Sequence, residues 1–158
     1  MKKFFFDCGT RDGTASLGLF VLRVSAGLMM LLGHGLPKLH AYQAMLDSGK
    51  WRSPAIWPFE HLNPNISLIC AIGAEVVGSA LLVLGLLTRP AAFMLGFTMV
   101  VAAFYAHAQG TWFNPGNDHG AKELALLYLL PCVVLILSGA GAWSFDAALY
   151  REGKRKRW

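Results

Sequence analysis

Four apolar segments, each near the length of a membrane span, constrain this 158-residue chain more than any other feature of its sequence. A helix needs about 20 apolar residues to cross a hydrocarbon core of about 30 Å, because its backbone polar groups must be satisfied internally. The segments lack the strand-length alternation of membrane β-barrels. The sequence therefore predicts an all-α transmembrane four-helix bundle, with helices over about 17–36, 66–87, 91–108 and 123–138.

The composition supports a membrane protein over a soluble enzyme. Hydrophobic residues make up 55% of the chain and charged residues 15%, against about 25% charged residues in soluble domains. The net charge is +5, and residues 151–158 alone contribute +4, with five Lys or Arg and one Glu. Because the remainder is nearly neutral, we expect the lipid bilayer, and no nucleic acid, as a partner. The cysteines Cys8, Cys70 and Cys132 are too widely separated to indicate a zinc site, and no metal site is predicted.

The distribution of Lys and Arg predicts the orientation of the bundle. With four spans, both termini share one side with the 87–90 turn, and that side carries nine Lys or Arg residues against four on the other. Both termini are therefore expected in the cytoplasm. The long 37–65 connection becomes an outer loop. The whole chain, 1–158, forms a single membrane domain that ends in a basic cytoplasmic tail over 151–158.

Two ionisable residues, Arg23 and Glu75, interrupt the first and second predicted helices. Such groups cost at least about 2.5–3.5 kcal/mol inside a bilayer, so they usually face a partner in the bundle interior. With a rise of about 1.5 Å per residue, Arg23 lies about 9 Å and Glu75 about 18 Å from the cytoplasmic edge. An arginine side chain that leans toward the outer surface reduces this difference in depth. We therefore predict an intramembrane Arg23–Glu75 ion pair, whose role is either to fix helix register or to serve function.

A second polar group is predicted nearer the outer surface and consists of His34, Lys38, His107 and Glu123. Phe97 and Phe104 share one helix face with His107, which predicts an outward-facing polar pocket with aromatic walls. The four polar residues are candidates for ligand binding or proton relay. A structural alternative stays open, in which His34 ends its helix and His107 bonds Glu123. No catalytic residue is assigned.

Three motifs combine polar residues with apolar helices. The first helix carries an arginine followed by a Gly-His-Gly segment, the second carries a glutamate and ends in a Thr-Arg-Pro turn, and the fourth opens with Lys-Glu and has a small-residue exit. The motifs read LRVSAGLMMLLGHGLPKL, GAEVVGSALLVLGLLTRPAA, and KELALLYLL followed by SGAGAWSFD. They resemble the DoxX family of small four-helix membrane proteins, which is related to the DoxD subunit of thiosulfate:quinone oxidoreductase. The resemblance covers about residues 16–148, and the matching polar residues are Arg23, His34, Lys38, Glu75, Arg89 and Glu123.

The resemblance implies a protein of the bacterial inner (plasma) membrane that is linked to sulfur or thiol oxidation and to the quinone pool. A quinone is the expected cofactor. A redox role also implies a partner subunit, since the sequence has no Cys-X-X-Cys dithiol and no glycine-rich dinucleotide loop; a homo-oligomer is the other expected assembly. The alternative function is a non-catalytic membrane anchor or assembly scaffold. Conduction of protons or small solutes is a third possibility.

Overall fold

A computed structural model describes residues 12–49, 51–54, 59–108, 110–113 and 122–149, and all regular secondary structure among these residues is helical. The helices are α1 (Gly13–His40), α2 (Tyr42–Asp47), α3 (Pro64–Leu84), α4 (Thr88–Ala106), α5 (Lys122–Ser138) and α6 (145–149). A short 3₁₀ turn, Phe59–His61, precedes α3. Two of the long helices, α1 and α4, each contain one π-helical turn.

Three of these helices, α1, α3 and α4, are long and apolar enough to cross a membrane, with 28, 21 and 19 residues. Helix α5 has 17 residues, which correspond to about 26 Å at 1.5 Å per residue. Large apolar side chains cover the outside of the bundle: Leu32, Phe93 and Leu130 are each 60–65% exposed. A soluble protein would present far more polar groups on such a surface. The chain is therefore an integral membrane protein whose helices contact lipid.

Close packing of small residues sets the positions of the helices. A Cβ added at Gly27 would lie 2.8 Å from Val83 Cγ2, so α1 and α3 approach too closely there for any side chain. At Gly96 an added Cβ would lie 3.2 Å from Cys132 Cβ, where α4 meets α5. Small residues at such contacts are typical of membrane bundles, where helices associate by van der Waals packing. The buried core includes Met30, Leu82, Leu95, Met99, Cys132 and Leu135.

The segment after α5 folds back onto the start of the bundle. Gly139 and Gly141 adopt positive φ values of 79° and 76°, which glycine tolerates without a Cβ penalty. The Ala142 N–H then donates to Ser16 Oγ at 3.2 Å. Buried Asp146 accepts from the backbone N–H groups that open α4 and donates its own N–H to Gly85 O at 2.9 Å. Residues 139–149 thereby connect α1, the 85–88 turn and α4.

The predicted helix bounds differ from the observed ones mainly in α1, which continues past residue 36 to His40. The prediction ended this helix at about residue 36, as the end of the apolar segment. The π-helical turn Leu31–Gly35 changes the hydrogen-bond spacing just before Pro37, and Leu36 N–H bonds Leu31 O. Helix α2 then occupies part of the predicted outer loop. The predicted cytoplasmic tail, 151–158, lies outside the described residues.

Candidate functional site

A cavity of about 530 Å³ lies among α1, α3, α4 and α5. All four of the predicted ligand-binding or proton-relay residues line it: His34, Lys38, His107 and Glu123. The structure thus brings together side chains that are up to 89 positions apart in the sequence. Glu75 is a fifth polar residue in the wall, and Tyr128 is a sixth. The remaining lining residues are apolar: Met30, Met99, Ala102, Leu124, Ala125 and Leu127.

An ion pair between Lys38 and Glu75 forms one wall of this cavity. Lys38 Nζ donates a hydrogen bond to Glu75 Oε1. The glutamate side chain is 2% exposed and the lysine side chain 29%. Burying these charges is tolerated because they are paired, whereas an isolated buried carboxylate would be strongly unfavourable.

The register of α1 against α3 explains why lysine reaches this glutamate. Gly35 lies against the backbone of α3, since a Cβ added there would be 3.3 Å from Glu75 C. Lys38 follows Gly35 by three residues on α1. Helical side chains lean toward the N-terminus of their own helix, so the ammonium group of Lys38 reaches back to the level of Glu75.

The predicted Arg23–Glu75 ion pair is not the arrangement in the structure. Arg23 Nη1 donates to the carbonyl oxygens of Leu82 at 2.7 Å and Val83 at 2.8 Å, and Nη2 donates to Trp143 O at 2.8 Å. The prediction required Arg23 to lean toward the outer surface, but helical side chains lean toward the N-terminus. Arg23 therefore points away from Glu75.

The C-terminus of α3 is a favourable partner for this arginine. The last carbonyl groups of a helix have no intrahelical donor, and the helix dipole is negative there. The Arg23 guanidinium, which is 1% exposed as a residue, satisfies two of those carbonyls. Its Cζ also lies 5.5 Å from the centroid of the Phe20 ring, within the range of a cation–π interaction. Arg23 thus joins α1 to the end of α3 and to Trp143, and it does not line the cavity.

Both π-helical turns lie at the cavity. His34 lies within the turn Leu31–Gly35, and His107 directly follows the turn Ala102–Ala106, with its N–H bonded to Ala102 O at 2.9 Å. An extra residue in a helical turn re-aims the side chains that follow, and such turns are frequent at functional sites. The glycines on either side of His34 were the available signal for these turns in the sequence.

The aromatic wall of the cavity is formed differently from the prediction. Phe97 and Phe104 are 42% and 45% exposed and lie on the outside of the bundle. Tyr128 of α5 lines the cavity instead, and its ring meets the His34 ring edge-on, with centroids 5.4 Å apart. Sequence reasoning missed Tyr128 because it treated α5 as the carrier of Glu123 alone. A tyrosine five residues after Glu123 on the same apolar helix was the available signal.

Among the described residues, no three His, Cys, Asp or Glu side chains are grouped closely enough to hold a metal ion. The cavity instead combines cationic, carboxylate, imidazole and phenol groups with apolar walls. These groups are suited to binding a small ring that carries oxygen atoms, and to moving protons at those atoms.

The fold and the cavity define a class of protein: a helical membrane bundle with charged residues buried between its helices. The family model of DoxX matches residues 18–108, and the chain belongs to the DoxX family. It is 44% identical over 136 residues to an uncharacterized protein of Haemophilus influenzae, and the alignment covers 85% of this chain and 92% of the relative. A second uncharacterized protein of that organism is 30% identical over 102 residues, covering 65% and 66%. No solved structure matches the chain significantly.

Proposed function

We propose that this chain is a membrane subunit of a redox system and binds the headgroup of a quinone in the cavity among α1, α3, α4 and α5. The observation that carries the proposal is the cavity within the bundle, which combines a buried ion pair, Lys38 and Glu75, with two histidines, a tyrosine and apolar side chains. The resemblance to proteins linked to sulfur or thiol oxidation supports the same assignment.

The proposed topology has four spans in a bacterial inner membrane, with both termini in the cytoplasm. Helix α5 supplies the fourth span, and its close packing against α4 at Gly96 and Cys132 supports this. The excess of nine Lys or Arg over four supports the orientation. In that orientation the cavity lies toward the outer side, and Arg23 lies toward the cytoplasm.

The dimensions and chemistry of the cavity suit a quinone ring. Its volume of about 530 Å³ falls within the range of about 300–1,000 Å³ that is typical of small-molecule sites. Lys38 and Tyr128 supply hydrogen-bond donors for ring oxygens, while Met30 and Met99 supply apolar contacts. Leu124 and Leu127 line the cavity and are 49% and 55% exposed. The cavity therefore reaches the lipid-facing surface along α5, where a ligand with an apolar tail has access.

Electron transfer is assigned to a partner protein. The sequence contains no Cys-X-X-Cys motif, and Cys132 is buried. In this proposal the partner carries the redox group, and the chain binds the quinone and provides groups that move its protons. His107 and Glu123 are the proton-relay candidates in the cavity wall.

Extraction of the purified protein tests the proposal. The full chain, purified in mild detergent from its native membrane, is extracted with organic solvent and analysed for quinone by mass spectrometry. We expect about one quinone per chain, and loss of most of it in Glu123→Gln. Glu60→Gln is the matched control, because Glu60 lies in the 3₁₀ turn and its side chain is 44% exposed. Phospholipid alone in the extract would contradict the proposal.

A non-catalytic anchor or assembly scaffold is the second candidate. It is favoured by Arg23 and Asp146, whose hydrogen bonds join helix ends to the 139–149 segment. Under this alternative, His107→Ala and Glu123→Gln leave the bound lipid and the partner protein unchanged, while Glu75→Ala lowers thermal stability. Quinone that is present and lost in Glu123→Gln would exclude it.

A further inference from the structure

Glu75 is only half satisfied by the protein. Its Oε1 pairs with Lys38, whereas its Oε2 is buried and has no hydrogen-bond partner among the described residues. The residue is 2% exposed, so bulk water does not compensate. Buried polar atoms are nearly always hydrogen-bonded, and an exception at a cavity points to a ligand.

Nearby donors on α3 do not serve this oxygen. The hydroxyl group of Ser79, one turn away, donates to the backbone carbonyl oxygen of Glu75. On α1, the ammonium group of Lys38 is hydrogen-bonded to Oε1. Because Glu75 lines the cavity, a ligand bound there is placed to supply a donor for its second oxygen.

The two redox forms of a quinone differ in whether they can supply this donor. A carboxylate paired with an ammonium group is an acceptor only. A quinone carbonyl oxygen is also an acceptor only, so it repels Glu75 Oε2. A hydroquinone hydroxyl group donates one hydrogen bond and still accepts from Lys38 or Tyr128, and a hydrogen bond to a charged acceptor is stronger than one between neutral groups.

We infer that the cavity selects the hydroquinone form of its ligand, through a hydrogen bond from a ring hydroxyl group to Glu75 Oε2. This inference rests on the proposed function and specifies the redox state that the site binds. We expect about tenfold tighter binding of hydroquinone, which corresponds to about 1.4 kcal/mol. For a two-electron couple the same factor raises the midpoint potential of the bound ligand by about 30 mV.

The test compares three ligands on the full chain in lipid nanodiscs, under anaerobic conditions. The ligands are a decyl-substituted benzoquinone, its hydroquinone, and the dimethyl ether of that hydroquinone, which keeps the ring and tail but has no hydroxyl donor. Equilibrium dialysis gives the Kd of each. The expected result is a Kd about tenfold lower for the hydroquinone than for the other two.

A matched pair of variants ties the preference to Glu75. Glu75→Gln places an amide donor beside the ring oxygen, so the hydroquinone preference should disappear or reverse. Glu60→Gln, in the 3₁₀ turn, should leave all three Kd values unchanged. Thermal unfolding checks whether Glu75→Gln is folded. If this variant does not fold, the comparison of the three ligands on the wild-type protein decides the inference.

Two results overturn the inference, and they are distinguishable from failure of the proposed function. Quinone that binds as tightly as hydroquinone, or dimethyl ether that does so, removes the role of the hydroxyl donor but leaves a quinone site. Absence of binding by all three ligands overturns the quinone site itself and the inference with it.

Discussion

Asp146 caps a helix that begins 58 residues earlier, since its Oδ2 accepts a hydrogen bond from the Thr88 N–H at 2.9 Å. Its Oδ1 accepts from the Leu87 N–H at 2.8 Å. The first N–H groups of a helix have no intrahelical acceptor, and a carboxylate there also interacts favourably with the helix dipole. Asp146 therefore stabilises the start of α4 and the Leu87 backbone, which has a positive φ of 50°.

Replacement of Asp146 by alanine should destabilise the bundle. The variant leaves the buried Thr88 N–H and the partly buried Leu87 N–H without an acceptor, so we expect the free energy of unfolding to fall by about 1–3 kcal/mol. Asp146→Asn keeps one side-chain acceptor and should therefore lose less stability than Asp146→Ala. Unfolding in detergent, followed by circular dichroism, measures the change. Asp47→Ala, at the exposed end of α2, is the control, and an equal loss in both would contradict the capping role.

Gly85 should be far less tolerant of alanine than Gly49, although both have a similar positive φ, 69° and 62°. A Cβ at Gly85 would lie 2.4 Å from Arg23 Nη1 and 2.7 Å from Ser144 Cβ, whereas no atom lies within 4 Å of a Cβ at Gly49. Gly49→Ala bears only the conformational cost of about 1–2 kcal/mol. Gly85→Ala has the same conformational cost and must also displace the Arg23 guanidinium, so its loss of stability should be larger. Thermal unfolding of both variants measures the difference, and equal midpoints would refute the contact.

Two glycines of α1 should respond to alanine with opposite signs. Gly27→Ala places a methyl group 2.8 Å from Val83 Cγ2 and 3.1 Å from Ser79 O, so α1 and α3 must separate. Gly18→Ala meets no atom within 4 Å and should stabilise the helix by about 0.5–1 kcal/mol, because alanine loses less backbone entropy. Denaturation midpoints report both effects. A stabilised Gly27→Ala variant would show that the helices are not in close contact there.

The Lys38–Glu75 pair should behave non-additively. Lys38→Met leaves a buried carboxylate without its cation, and such changes typically cost about 3–5 kcal/mol. The double variant Lys38→Met/Glu75→Leu removes both charges and should be more stable than Lys38→Met alone. A double-mutant cycle on unfolding free energies isolates the coupling. Additive losses would mean that the two groups do not interact in the membrane.

The sequence predicted most of the helical architecture because membrane spans are set by length and hydrophobicity, which are local properties. The observed α3, Pro64–Leu84, and α5, Lys122–Ser138, lie within a few residues of the predicted ranges. Grouping of His34, Lys38, His107 and Glu123 was also predictable, since each follows or precedes an apolar segment at one end of the bundle. These positions depend little on the details of packing.

The pairing of the buried charges was not predictable from depth alone. Arg23 and Glu75 face the same interface, but the direction in which each long side chain leans decides its partner. Arg23 leans to the carbonyls of Leu82 and Val83, and Lys38 leans to Glu75. Arg23 and His34 share one face of α1, and Lys38 lies four residues after His34 on the same face. This spacing was the signal for the Lys38–Glu75 pair.

The return of residues 139–149 onto α1 and the 85–88 turn has a consequence for biogenesis. Ribosomes deliver these residues after all four long helices, so Trp143 cannot accept from Arg23, and Asp146 cannot cap Thr88, until synthesis has passed them. A nascent chain that ends at Ser138 would lack the hydrogen bonds of Trp143 to Arg23 and of Asp146 to Thr88. The hydrogen bonds that join these helix ends therefore form only after the four long helices have been synthesised.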